Sequence, residues 1–103
     1  MLQRYHECNQ NLIVNLGGTL VHRDEAGVSP FDSTVQNGDG VWEGLRLYRG
    51  GIFRLHEHLD RLFRSAAALR YEGVPSRDEV IEQLRRTLEA NEMYVQNFGF
   101  LHF

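Results

Sequence analysis

The sequence predicts an α+β fold, in which a mainly antiparallel sheet built from hairpins has two helices packed on one face. Glycine pairs at positions 17–18 and 50–51 each separate two runs of β-branched or alternating residues, which is typical of β-hairpins. Two later stretches, beginning near residues 55 and 77, carry apolar residues three and four apart, which is typical of amphipathic helices.

Composition is that of a globular chain with a single domain. Its 103 residues are 42% hydrophobic and carry a formal net charge of −3, which disfavours nucleic acid as a partner. No apolar run approaches the roughly 20 residues of a membrane span, and the polar first residues do not resemble a secretory signal. The single cysteine, Cys8, cannot form an internal disulfide. We therefore expect a cytoplasmic protein with neither a membrane nor a nucleic acid as its partner.

The chain is expected to begin with an irregular segment, residues 1–10, followed by a domain over residues 11–92. Its first hairpin joins residues 12–16 to residues 19–22, because two glycines reach the backbone angles of a tight turn without steric cost. A short helical turn follows and ends near Gln36. Its first turn is expected to be capped by Asp32 or Ser33.

Residues 41–49 alternate between two faces of a predicted strand. One face points to the core, with a carboxylate as its misfit: Val41, Glu43, Leu45 and Leu47. The other is aromatic and cationic with a gap at a glycine, which favours a pocket wall: Trp42, Gly44, Arg46 and Tyr48. The alternative is that Trp42 and Tyr48 only cover an edge of the sheet.

The first long helix is predicted from Leu55 to about Arg70, with a stop near Gly73. Its apolar stripe is Leu55, Leu59, Leu62, Phe63, Ala66 and Leu69. Ser76 and Glu79 form a capping box that begins a second helix, which runs to about Asn91. Its buried side is predicted to be Val80, Ile81, Leu84 and Leu88. The aromatic segment 93–103 is predicted to be a further strand, which needs a partner to cover it.

Several kinds of site can be excluded from spacing. The glycines around residue 40 do not match the dinucleotide fingerprint, because Glu43 occupies the place of the third glycine. His56 and His58 are two residues apart, roughly 200° around a helix, and cannot bind one metal from the same face. No nucleophile-elbow spacing supports a serine hydrolase.

From the residues alone, Arg61 is a surface residue with Glu57 one turn before it.

All 11 basic residues are arginine. A side-chain amine that can lose its proton is therefore absent from these residues, because guanidinium remains protonated. Chemistry that requires a lysine amine, such as covalent attachment of an aldehyde cofactor, is not expected of this chain alone.

Two runs resemble a known family: GDGVWEGLR at residues 38–46 and FRLHEHLDRL at residues 53–62. Over about residues 11–91 the chain resembles the N-terminal domain of the class IV (fold type IV) pyridoxal-phosphate-dependent aminotransferases. The resemblance implies pyridoxal 5'-phosphate as cofactor, an amino acid and a 2-oxo acid as substrates, and a homodimer. The aromatic-E-G-aliphatic-R pattern favours the branched-chain amino-acid type. D-amino-acid aminotransferase and aminodeoxychorismate lyase are the alternatives within the family.

The resemblance also implies roles for individual residues. Arg61, in the segment 58–62, matches the arginine that holds the cofactor phosphate in the family, and a guanidinium fork suits phosphate oxygens. The substrate pocket would be formed by Trp42, Glu43, Gly44, Arg46 and Asn37. Asn37 stands where the family usually has a tyrosine, so the pocket is expected to differ there. Trp42 and Arg61 are expected to converge on one concave site.

The resemblance fades after the second helix, and residues 93–103 are expected to be foreign sequence, as a truncation or a frameshift would leave. Without a lysine the isolated chain is expected to be inactive as a transaminase. A hypothesis of another class is a non-enzymatic domain that persists by self-association.

Overall fold

The computed structural model describes residues 4–94 and confirms the α+β class. Four strands and three α-helices follow one another along the chain, with single 3₁₀ turns at Glu7–Asn9 and Arg23–Glu25. The strands are β1 (Ile13–Leu16), β2 (Thr19–His22), β3 (Leu47–Tyr48) and β4 (Gly51–Ile52). The helices are α1 (Ser33–Asn37), α2 (Leu55–Ala68) and α3 (Arg77–Ala90).

The first hairpin is confirmed. Strands β1 and β2 pair antiparallel, with Leu16 opposite Thr19. Gly17 and Gly18 make the turn at φ values of +61° and +94°, where a side chain would be strained. The Asn15 side chain stabilises the turn by accepting a hydrogen bond from the Gly18 amide at 2.8 Å.

The second hairpin is much shorter than the predicted strand over residues 41–49. Strand β3 pairs antiparallel with β4, and one more bond, from the Phe53 amide to the Arg46 carbonyl at 2.9 Å, extends the ladder. Within residues 4–94 the two hairpins form separate two-stranded sheets. Residues 41–45 therefore have no neighbouring strand to pair with in the described part of the chain, although burial alternates over residues 41–46 as predicted.

The core lies where α2 packs on the second hairpin. Leu55 and Leu59 are almost completely buried, at 1% and 2% exposure, and contact Ile52 of β4. Partly buried side chains from the hairpin and both long helices surround them: Leu45, Leu47, Leu62, Phe63, Val80, Ile81, Leu84 and Leu88. The predicted buried sides of the two long helices are thus confirmed except at Leu69, which is 44% exposed.

Leu69 is exposed because α2 ends at Ala68, earlier than predicted. The Tyr71 amide donates to the Ala66 carbonyl at 3.1 Å, and the Arg70 amide donates to the Ala67 carbonyl at 3.0 Å. This is the Schellman arrangement, with Arg70 in the left-handed position at φ +57°. The expected stop at Gly73 was wrong because these bonds satisfy the last carbonyls without a glycine.

Helix α3 begins at the predicted capping box. The Glu79 amide donates to Ser76 Oγ at 3.1 Å, and the Ser76 amide donates to Glu79 Oε2 at 3.2 Å. The short helix α1 is capped by Asp32, whose Oδ1 accepts from the Thr34 amide at 2.8 Å. Both predicted helix starts are therefore confirmed.

Side-chain amides hold α3 against β1. Asn91 accepts a hydrogen bond from the Ile13 amide at 2.8 Å and donates one to the Ile13 carbonyl at 2.9 Å. It thus pairs with the free edge of β1 as a neighbouring strand would. Asn15 Nδ2 donates to Gln83 Oε1 and Thr87 Oγ1 at 2.9 and 3.1 Å. These bonds fix the first hairpin on α3.

Residues 95–103 lie outside the described residues, so the strand expected over residues 93–103 remains a prediction. In the described part of the chain no helix is both long enough and apolar enough to cross a membrane.

Candidate functional site

The candidate site is a cluster of three charged or polar side chains that joins residues 41–46 to α2. Arg61 donates from Nε to Glu43 Oε2 and from Nη2 to Glu43 Oε1, both at 2.7 Å. His58 Nδ1 lies 2.6 Å from Glu43 Oε1. Residues three apart on a helix lie on the same face, so His58 and Arg61 can reach one carboxylate together. We refer to Glu43, His58 and Arg61 as the Glu43 cluster.

Burial is uneven within the Glu43 cluster. The Glu43 side chain is only 9% exposed, whereas the Arg61 side chain is 61% exposed. A carboxylate that is shielded from water needs hydrogen-bond partners. Glu43 has three such bonds, two with Arg61 and one with His58. Arg61 uses Nε and Nη2 for Glu43 and makes no hydrogen bond through Nη1 within residues 4–94. The cluster therefore presents the outer end of a fixed guanidinium to solvent.

The charges in the cluster stabilise each other. Hydrogen bonds from Arg61, and next from His58, lower the pKa of Glu43 from 4.5 to about 2. The same contact raises the pKa of Arg61. Glu43 is thus ionised at neutral pH and can only accept hydrogen bonds, so the His58 nitrogen that faces it carries a hydrogen.

The contact between Glu43 and Arg61 was not predicted from the sequence. The alternation of residues 41–49 places Glu43 as a misfit on the core-facing side of a strand, and the helical period places Arg61 on the surface beside Glu57. In the structure the Glu43 carboxylate points inward and contacts both Arg61 and His58. The signal was available, because a carboxylate on an otherwise apolar face requires a cationic or donor partner.

The other predicted pocket residues lie on exposed positions. Trp42 is 82% exposed, and its indole lies beside Gly44, where a Cβ atom would be 3.5 Å from Cζ3. Arg46 is exposed two residues further on, and Asn37 is exposed at the end of α1. Neither Trp42 nor Arg61 lines the two cavities described below. Their convergence on one concave site therefore remains a prediction.

The larger cavity was not predicted from the sequence. It has a volume of about 930 Å³ and lies between β1, the second hairpin and α3. Its walls are mainly apolar and include Val14, Leu45, Val80, Leu84 and Met93. A smaller cavity of about 280 Å³ lies between α2 and residues 71–75. The apolar stripe of α3 was the signal for the larger cavity. Within residues 4–94 none of the residues of that stripe is completely buried.

Metal chemistry finds no support in the described part of the chain. Within residues 4–94 no three histidine, cysteine, aspartate or glutamate side chains lie close enough to hold a metal ion. What the Glu43 cluster offers chemically is a fixed cation that suits an anion with several oxygen atoms.

The Glu43 contacts should make the stability of the folded chain depend on pH. A folded-state pKa of about 2, below the ordinary 4.5, means that Glu43 stabilises the fold above pH 4.5 and that this contribution is lost as the pH falls toward 2. We expect the free energy of unfolding of the wild type to decline over this range more steeply than that of Glu43→Gln, measured by urea denaturation.

The matched control is Glu82→Gln, which removes a carboxylate whose pKa is lowered by Arg85 within α3. This variant should keep the part of the pH dependence that Glu43 supplies. Wild-type and Glu43→Gln curves that run parallel between pH 4.5 and 2 would contradict the assignment.

Comparison with known proteins finds one family along most of the chain. The sequence profile described as "Amino-transferase class IV" matches residues 40–101. The matched region contains the whole Glu43 cluster, both long helices and most of the C-terminal segment.

Individual relatives agree with this match. Branched-chain-amino-acid aminotransferase-like protein 1 of Arabidopsis thaliana is 55% identical over 86 residues, which are 84% of this chain and 16% of that protein. A putative branched-chain-amino-acid aminotransferase of Methanocaldococcus jannaschii is 40% identical over 78% of this chain and 28% of its own length. D-alanine aminotransferase of Bacillus licheniformis is 38% identical over 77% of this chain and 28% of its own length.

The chain therefore spans between 16% and 28% of the length of these relatives. The profile match nevertheless covers the second hairpin and both long helices, and with them the whole Glu43 cluster. The chain belongs to the class IV aminotransferase family.

Proposed function

We propose that this chain is the N-terminal domain of a pyridoxal-phosphate-dependent aminotransferase, which transfers an amino group between a branched-chain amino acid and a 2-oxo acid. The observation that carries the proposal is the fixed, outward-facing guanidinium of Arg61, at the position that the family resemblance assigns to the cofactor phosphate. Arg61 lies within residues 40–101, the region that matches the class IV aminotransferase profile.

The residues present fit the phosphate end of pyridoxal 5'-phosphate. Glu43 occupies the Nε–Nη2 side of Arg61, and three of the five N–H groups of the guanidinium remain for phosphate oxygens. When bound, the cofactor supplies an electron sink for the charge that develops on the amino acid. Arg61 would bind and orient the cofactor phosphate. No side chain of these residues has an amine that could transfer a proton.

The exposed face of residues 42–46 would border the substrate. The indole of Trp42 offers apolar contact for an aliphatic side chain, and Gly44 beside it leaves the backbone accessible. Arg46 and Asn37 would complete the polar part of this border. Glu43 belongs to the same segment, but its carboxylate faces α2 and would serve Arg61 in place of the substrate.

The branched-chain type is favoured over the D-alanine type by degree of similarity. The relative named as branched-chain-like is 55% identical to this chain, whereas the D-alanine aminotransferase of B. licheniformis is 38% identical. A D-amino-acid aminotransferase is therefore the alternative substrate class. In the cell, the cytoplasm is the proposed location.

Arg61 should recognise the phosphate of the cofactor. We expect pyridoxamine 5'-phosphate, which lacks the reactive aldehyde, to bind the wild type, and its dissociation constant to rise by about tenfold or more in Arg61→Ala because charge-assisted hydrogen bonds are lost. Binding is measured in both proteins by NMR titration of the backbone amide signals of α2.

Two controls make this test specific. Arg85→Ala removes an exposed, ion-paired arginine of α3 and should leave binding unchanged. Pyridoxamine without the phosphate should not distinguish the wild type from Arg61→Ala. Equal binding of pyridoxamine 5'-phosphate to both proteins would contradict the phosphate role.

The isolated chain should not hold the cofactor covalently in a site. After incubation with pyridoxal 5'-phosphate and reduction with borohydride, we expect peptide mapping by mass spectrometry to find no pyridoxyl group on any side chain. The reason is that these residues contain no lysine. Modification of the N-terminal α-amine is the internal control for the reaction. A reduced adduct on an internal peptide, or transamination of leucine by the chain alone, would contradict this prediction.

A second candidate function is that of a non-enzymatic domain that self-associates, and the larger cavity favours it. An open apolar cavity of about 930 Å³ between β1, the second hairpin and α3 would be covered if two copies met there. We expect analytical ultracentrifugation to show a dimer whose fraction grows with protein concentration. A chain that stays monomeric at every concentration would contradict both this function and a homodimer formed by these residues.

A further inference from the structure

We propose that Glu43 is a positioning residue for anion recognition, which holds Arg61 by one side of its guanidinium so that the opposite end is presented to a phosphate. This inference rests on the proposed phosphate role of Arg61. It adds to that role the residue that would make Arg61 a preorganised donor.

The hydrogen bonds determine which end of Arg61 is available. A guanidinium has two bidentate edges, one formed by Nε and Nη2 and one formed by Nη1 and Nη2. Glu43 occupies the first edge with two bonds of 2.7 Å. The Nη1–Nη2 edge keeps its pair of outward N–H groups, and an oxyanion can accept from both of them.

Glu43 is itself fixed, which a positioning residue requires. His58 lies one helical turn before Arg61 and contacts Glu43 Oε1 at 2.6 Å. The backbone of residues 41–46 brings the carboxylate to α2 from outside the helix, and the Glu43 side chain is 9% exposed. The carboxylate therefore cannot follow Arg61 if the arginine changes rotamer, and such a change would break both hydrogen bonds, which favours one orientation of Arg61.

Arg85 shows what an ordinary surface pair looks like in the same protein. It also donates from Nε and Nη2 to a carboxylate, but Glu82 lies three residues earlier on the same helix and both side chains are exposed. Glu89, a further neighbour on α3, contacts Arg85 Nη1 at 2.7 Å and so occupies its remaining edge. Of these two arginines, Arg61 alone keeps a free bidentate edge.

Two opposite effects of Glu43 on an anion must be compared. Its negative charge repels a phosphate, but this repulsion is weak because the phosphate would approach the far edge through water. Ordering a long arginine side chain in advance removes a cost that binding would otherwise carry. The second effect should dominate, so removal of Glu43 is expected to weaken phosphate binding although it makes the site more positive.

The test measures order and binding separately on ¹⁵N-labelled protein, with inorganic phosphate as the probe at constant ionic strength. In the wild type, we expect the Arg61 Nε–H group to show a heteronuclear NOE close to that of the α2 backbone and a saturable shift with phosphate. In Glu43→Ala, the NOE should fall to that of a mobile side chain and the phosphate dissociation constant should rise about tenfold.

Glu43→Gln tests the same idea without removing the shape of the side chain. Its amide oxygen can accept one bond from Arg61, so order and affinity should lie between those of the wild type and Glu43→Ala. The matched control is Glu82→Ala, which should loosen Arg85 and leave both readouts at Arg61 unchanged. If Glu43→Ala fails to fold, the Gln variant decides the question.

The outcomes separate this inference from the proposed function. A wild-type chain in which phosphate shifts Arg61 no more than Arg85 overturns the phosphate role and the anion-positioning role together. A wild type that binds phosphate at Arg61 while both Glu43 variants bind it equally well, or keep Arg61 equally ordered, overturns only the inference about Glu43.

Discussion

The contact between Glu43 and Arg61 is the constraint that connects the exposed face of the domain to its core. Residues 41–45 have no strand partner in the described part of the chain, so side chains must hold them in place. Leu45 does this by packing on the core, and Glu43 does it by bonding to α2. Because neighbours in an extended segment point to opposite sides, fixing Glu43 inward directs Trp42 and Gly44 outward. The orientation of the proposed substrate face thus depends on the Glu43 carboxylate, whose side chain is 9% exposed.

Helix α2 supports both the core and the candidate site because its faces are set by the helical period. Leu55 and Leu59 lie in the core, and this burial fixes the rotation of the helix about its axis. The same rotation directs His58 and Arg61 toward Glu43. The contact holds residues 41–45 against α2, and it also sets the orientation of the Arg61 guanidinium. The proposed anion recognition thus depends on hydrophobic packing.

Two features indicate that the proposed aminotransferase chemistry needs groups from outside these 103 residues. The chain has no lysine, so an amine for covalent attachment and proton transfer must come from elsewhere. The larger cavity leaves apolar walls of β1 and α3 open within residues 4–94. Under the proposed function, both features have one explanation, which is a further part of the enzyme that covers the cavity and supplies the amine. Under the self-association hypothesis, a second copy of the chain covers the cavity and the domain is not enzymatic.

Local rules were sufficient wherever the interacting residues are close in sequence. The glycine pair at 17–18 predicted the first hairpin, and Ser76 with Glu79 predicted the start of α3, because turns and caps depend on a few adjacent residues. The stripes of α2 and α3, and the alternation over residues 41–47, likewise follow from the geometry of one helix or one extended segment. These patterns were enough for the α+β class and for the face on which each side chain lies.

Contacts between distant residues could not be obtained in this way. Glu43 and Arg61 are 18 residues apart, and their meeting depends on how a hairpin packs on a helix. The separation of the sheet into two hairpins and the cavity between them depend on the same packing, as does the use of Asn91 as an edge partner for Ile13. The sequence determined the first hairpin, the two long helices and most of their buried faces, because short-range sterics and periodicity suffice for these. The tertiary structure decided which charged groups meet, because only packed elements bring distant side chains within bonding distance.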